Sequence, residues 1–105
     1  MIMRIWRGIT SKDRADAYLE HLQQTALPKL AEQPGQRGAW VLRRVHGGQC
    51  EFQVLSLWAS EKDLRTFAGD QPEQSVYFAE DDKYLLEMEP LVRLYEVADS
   101  VAVPT

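Results

Sequence analysis

Four stretches of the chain carry apolar side chains in a pattern suited to strands, and two carry them at helical spacing. Residues 2–9, IMRIWRGI, are rich in β-branched and aromatic side chains with short polar interruptions, which predicts a first strand. TSKD follows, with Thr10 or Ser11 as the expected N-cap and Asp13 favourable in the first helical turn. Ala15, Tyr18, Leu19, Leu22 and Ala26 then recur every three or four positions, and Leu30 continues the stripe. His21 and Glu20 fall off that stripe and read as surface residues. Pro28 removes a backbone donor and is expected to kink or restart the helix, and EQPG at 32–35 ends it.

Residues 37–46 predict a second strand, with Trp40, Leu42 and Arg44 on one face and Ala39, Val41, Arg43 and Val45 on the other. HGGQ at 46–49 is a hairpin turn, because paired glycines supply positive φ. Residues 50–59 form a third strand, with Phe52, Val54, Ser56 and Trp58 sharing a face. Ser60 caps a second helix, Leu64, Phe67 and Ala68 point inward from it, and Gly69 stops it. Asp70 before Pro72 suggests another short helix with Val76, Tyr77 and Phe78 inward, and Tyr84, Leu85 and Met88 suggest a further helical turn. Pro90 precedes a fourth strand at 91–97, and the tail from Ala98 to Thr105 is expected to be loose.

The resulting order, β-α-β-β-α-β, is the ferredoxin-like arrangement of the α+β class, a four-stranded antiparallel sheet with helices on one face. It is a single domain over residues 1–97. Both faces of the second and third strands carry large apolar groups, and the economical cover for the helix-free face is a second copy of the chain. A homodimer joined through its sheets is therefore expected.

Composition narrows the chemistry. At 105 residues with a net charge of −4, the chain lacks the basic balance of a nucleic-acid binder. No apolar run approaches the roughly 20 residues that span a bilayer, and Arg4 and Arg7 interrupt the first apolar stretch, so neither a membrane span nor a signal peptide is expected. One cysteine, Cys50, forms no internal disulfide, reads as an incidental strand residue, and suits a cytoplasmic setting. His21 and His46 are in different elements, no Cys or His pair has zinc spacing, and EDD at 80–82 reads as a solvated acidic turn. No metal is expected.

The element order at this length, the strand-ending W-x-S-E of Trp58 to Glu61, the Leu64 and Phe67 that follow, and the closing VRLYEV together resemble the antibiotic biosynthesis monooxygenase superfamily of dimeric α+β barrels. The resemblance runs from about Met3 to Val97. Its haem-degrading branch expects an asparagine on the first strand, a tryptophan in the middle of the second helix, and a histidine some three turns later. Here the first strand holds Arg4, Trp6 and Arg7, Phe67 stands at the tryptophan position, Tyr77 stands near the histidine position, and no histidine follows His46. Haem degradation is disfavoured.

The cofactor-independent branch implies a different need. Oxygen reacts slowly with closed-shell molecules, so the protein deprotonates an electron-rich phenol inside a dry aromatic pocket and stabilises the anion. No cofactor is implied. Arg4, Trp6, Trp58, Phe67 and Tyr84 are the candidate substrate-binding residues, and Tyr77, Arg93 and Tyr95 the candidate catalytic ones, with arginine holding the anion and a tyrosine relaying a proton. Arg7 is a further anion-holding candidate. Arg4 and Arg93 lie on neighbouring strands and suit equally well ion pairs with Glu51 or Glu96 across a dimer. A binding module for a small aromatic ligand, or a structural dimer without a pocket, fits the same features.

Overall fold

The computed structural model describes residues 1–76 and 80–101. The elements follow in the order β1 (Ile2–Ser11), α1 (Ala15–Gln24), α2 (Ala26–Ala31), β2 (Gln36–His46), β3 (Gln49–Trp58), α3 (Glu61–Ala68), β4 (Leu85–Met88) and β5 (Arg93–Glu96), with single 3-10 turns at Lys12–Arg14 and Asp81–Lys83. The sheet is antiparallel in the order β2-β3-β1-β4, and β5 also pairs with β1. This is the α+β, ferredoxin-like arrangement that the residue pattern predicts.

The fourth strand expected at 91–97 is present as β5, and the sheet has five strands where four are expected. Leu85–Met88, expected as a helical turn, is strand β4 and lies beside one half of β1, with Met88 opposite Gly8. β5 takes the other half, with Arg93 opposite Ile5, and the register shifts by two residues between β4 and β5. Pro90 sits in the gap. Its missing N–H cannot join a ladder, so the edge strand breaks there and resumes. The helix expected after Asp70 is absent over residues 70–76, which form a turn and a single bridge from Gln74 to Leu91. Residues 98–101 are exposed and carry neither helix nor strand.

The first helix differs at both ends. β1 runs through Thr10 to Ser11, and Ser11 makes no side-chain cap. Where a continuous helix would need Pro28 to donate to the Gln24 carbonyl, the chain breaks at Thr25 (φ −119, ψ −72) and restarts as α2. The Thr25 hydroxyl donates to the His21 carbonyl at 2.7 Å and closes the last turn of α1. At α3 the expected cap is present: Ser60 Oγ accepts from the Asp63 N–H at 3.2 Å. Gly69 ends α3 at φ 88, donating its N–H to the Arg65 carbonyl.

The two central strands alternate strictly. Arg4, Trp6, Gly8 and Thr10 of β1 lie opposite Ser56, Val54, Phe52 and Cys50 of β3, and all eight are buried beneath the helices. Tyr18, Leu22, Ala26 and Leu30 close over them from α1 and α2, and Leu64 from α3. Each full burial of a side chain such as Phe52 or Leu64 contributes about 1.5–3 kcal/mol. Burial holds the Cys50 thiol protonated by raising its pKa. Met3, Ile5, Ile9, Leu55 and Leu57 face the other way, with Trp40 and Leu42 beside them on β2. Among the described residues no helix covers that side, and none is long and apolar enough to cross a membrane.

Gly8 is required by close approach. A Cβ there would lie 2.4 Å from the Trp6 ring, which folds back along β1. Gly8→Ala is expected to destabilise the protein by about 1–3 kcal/mol through overpacking, despite the entropy it saves in the unfolded chain. Urea unfolding followed by tryptophan fluorescence checks this, with an unchanged midpoint as the contrary result.

Candidate functional site

Between the helices and the even-numbered face of β1 and β3 lies a small cavity of about 30 Å³. It is a narrow slot. Arg4, Trp6, Val54 and Ser56 form its floor, Tyr18, Leu22, Ala26 and Leu30 its roof, and Phe67, Val76 and Asp81 its ends. Strand alternation places the floor residues, and the three- and four-residue period of α1 and α2 places the roof.

Arg4 is the electrostatic centre of this slot. It is only 6% exposed, one guanidinium nitrogen donates to the Gln74 carbonyl at 3.0 Å, and its Cζ lies 5.7 Å from the centre of the Phe67 ring. No carboxylate pairs with it among the described residues. Its Nε and the indole Nε1 of Trp6 are buried donors with no acceptor among those residues. Burial without a counter-charge pushes the Arg4 pKa down to about 10. An orphaned buried donor typically costs about 1–3 kcal/mol, and a buried charge costs more.

Trp58 lies behind this wall. Its indole N–H donates to Ser56 Oγ at 2.9 Å, and its ring stacks on Phe67 at 5.3 Å. Tyr84 is a buttress, 5.7 Å from Tyr18 and 5.1 Å from His21 between ring centres. Tyr18 meets Phe52 edge to face at 5.0 Å, and burial, with Asp81 nearby, raises its phenol pKa so that it stays neutral. Of the expected substrate-binding residues, Arg4, Trp6 and Phe67 line the cavity directly, and Trp58 and Tyr84 support it.

Two of the three expected catalytic residues are on the opposite side of the sheet. Arg93 and Tyr95 pair across from Ile5 and Met3 and share their face, so the structure does not bring them together with Arg4. Arg93 is exposed and reaches Glu89 at 3.4 Å, and Tyr95 is 53% exposed. Tyr77 lies outside the described residues. Arg7 is also on the open face, paired with Glu51, and Arg44 donates to the same carboxylate at 2.9 Å. Arg7, together with Arg44, holds the Glu51 carboxyl below its ordinary range.

Sequence reasoning missed His21 and Asp81. His21, expected on the surface, is 8% exposed, and Asp81, expected in a solvated turn, is 6% exposed. His21 Nε2 lies 2.8 Å from Asp81 Oδ1, and the imidazole packs 5.9 Å from Tyr18 and 5.1 Å from Tyr84. The one available signal was that His21 follows Tyr18 by three positions, at the border of the buried stripe. Asp81 had none. It turns inward because Glu80 before it adopts a left-handed conformation, φ 72 and ψ 5, which a side chain adopts at some cost. Among the described residues no three of His, Cys, Asp and Glu assemble as a metal site would require.

The sequence matches no family model and no curated protein. Its fold does match solved structures. A candidate antibiotic biosynthesis monooxygenase from Bacillus cereus superposes with a TM-score of 0.70 at 16% identity, covering 97% of each chain. A protein of unknown function from Nitrosomonas europaea gives 0.66 at 19% identity, covering 99% of this chain and 94% of that one. The haem degrader MhuD from Mycobacterium tuberculosis, with two haems bound in its active site, gives 0.60 at 22% identity over 97% and 100% of the chains. The fold is therefore the one these proteins share.

Arg4→Met replaces an uncompensated buried cation with an apolar chain of similar length. The loss of the bond to Gln74 is the smaller effect, so unfolding free energy is expected to rise by about 1 kcal/mol or more. Urea denaturation measures it, and a fall of that size would show that Arg4 serves the fold.

Proposed function

We propose that the protein is a small cofactor-independent oxygenase whose slot takes a planar phenolic or otherwise enolisable aromatic molecule. The observation that carries this reading is Arg4: a buried cation with an orphaned N–H, walled by Trp6, Tyr18 and Phe67 and without a carboxylate of its own among the described residues. Such a site is incomplete without an anion. The apolar and aromatic walls of the slot match a flat aromatic, whose oxygen, on becoming negative, completes Arg4. Oxygen is then the co-reactant: a ring methylene becomes a carbonyl, one oxygen atom entering the product and the other leaving as water with the two methylene hydrogens. The shared fold is compatible with this chemistry, since it hosts both monooxygenase-like and haem-degrading proteins, but fold alone does not choose between them.

Haem fits the slot less well. Its described lining holds no histidine or cysteine to ligate iron, and its free volume is small. Anthrone, which carries the ring methylene this step requires, is the test substrate. Oxygen uptake is expected with the wild-type protein, and a fall of about 10²-fold or more with Arg4→Met, in proportion to the loss of a preorganised anion-holding group. No uptake above the buffer rate, or uptake unaffected by Arg4→Met, would overturn the reading.

The same reading includes a homodimer joined through the open sheet face. Met3, Ile5, Leu55 and Leu57, with the exposed Trp40 and Leu42, form an apolar field there, and a second copy offers the matching surface. Arg93 and Tyr95 enter as contacts at this face. Light scattering is expected to give twice the chain mass for the wild type and the single-chain mass for Leu55→Glu. A monomeric wild type at micromolar concentration is the contrary result.

A further inference from the structure

We propose that Asp81, positioned by His21, is the proton acceptor of the cavity, and that it takes a proton from the ligand's acidic C–H or O–H while Arg4 and the Trp6 N–H hold the resulting oxyanion. The inference rests on the reading of the slot as a site for an enolisable aromatic. It goes beyond that reading by naming the base.

Asp81 is the one carboxylate among the described residues lining the slot, and Arg4 is the one cation. They do not neutralise each other: Arg4 takes part in no ion pair among the described residues, while Asp81 Oδ1 is held by His21 Nε2 at 2.8 Å. An apolar slot with an acceptor at one point and an uncompensated cation at another is polarised for proton abstraction. The ligand's C–H or O–H bond breaks and its proton passes to an Asp81 oxygen. The electron pair stays in the ligand and settles on its oxygen, where the Arg4 Nε–H and the Trp6 indole N–H have no acceptor among the described residues. The negative charge thereby moves from a carboxylate that has a partner to the cation that lacks one, which lowers the cost of the transfer in a low-dielectric setting.

Two further features belong to this arrangement. The imidazole of His21 packs against the rings of Tyr18 and Tyr84, which limits the freedom of the carboxylate it holds. The backbone is left-handed at Glu80, immediately before Asp81, where glycine would be at ease. A non-glycine residue in that conformation costs energy that the surrounding structure must offset. His21 acts as a positioning residue and does not touch the ligand.

Solvent deuterium exchange into the methylene of anthrone, followed by NMR under argon, tests this without oxygen chemistry. The wild type is expected to accelerate exchange, and Asp81→Asn to lose about 10²-fold or more of that rate while binding anthrone within a few-fold of the wild-type affinity. Asp81→Gly is expected to recover rate on addition of formate, a readout that a purely structural role for Asp81 would not move. His21→Gln, which keeps a hydrogen bond to the carboxylate, is expected to retain more rate than His21→Ala. Exchange unchanged in Asp81→Asn, or no wild-type exchange although anthrone binds, overturns the inference and leaves the binding site standing. Exchange under argon without oxygen uptake in air supports the inference and overturns the oxygenase reading. Failure of anthrone to bind overturns both.

Discussion

β1 and β3 run through the middle of the sheet with Ile2 opposite Trp58 and Ser11 opposite Gln49, and this register decides which side chains enter the interior. Strand side chains alternate with a period of two, so a slip of one residue would send every member of the buried set to the other face. Arg4 is interior only because it is in phase with Trp6, Gly8 and Thr10. The broken edge strand is subordinate to this pair: β4 and β5 each follow β1 locally, and the two-residue shift between them is absorbed around Pro90. The cavity depends on the same register, since Gly8 makes room for the Trp6 ring that lies along the slot's floor.

Much of this was legible because it rests on period. The stripe Ala15, Tyr18, Leu22, Ala26 and Leu30 and the alternation of Phe52, Val54, Ser56 and Trp58 are local properties of residue type and spacing, and tertiary packing agrees with them. The Leu85–Met88 strand was not legible. Four residues show too little of either period, and their pairing with β1 is a long-range choice. His21 and Asp81 were hidden for a related reason. Each reads as polar and local, and they meet only in the fold, 60 positions apart in the chain.

The candidate site was legible in its walls and in Arg4, and not in Asp81. Trp6, Phe67 and Trp58 were expected to be aromatic lining because of their place on strands and a helix, and they lie in or directly behind the wall. Arg93 and Tyr95 were grouped with Arg4 because their strands are neighbours. Neighbouring strands share a ladder, but a face is shared only by residues in phase. Leu94 lies opposite Arg4, and its two neighbours therefore belong to the other side.

That division separates the arginines by what each one lacks. On the open face Arg7 and Arg44 share Glu51, and Arg93 reaches Glu89, so each cation there has a carboxylate and the face is close to electrostatically complete. Exposed pairs of this kind contribute little to stability, and they leave the apolar residues between them to do the packing. Arg4 is in the opposite condition. It is more deeply buried than any of these, and its described partners are a carbonyl and a ring face. A chain selected for stability alone would place a methionine or leucine at that point, since the cavity around it is already apolar. On the proposed reading, the cost of keeping a cation there is borne in the empty state and recovered when an anion enters.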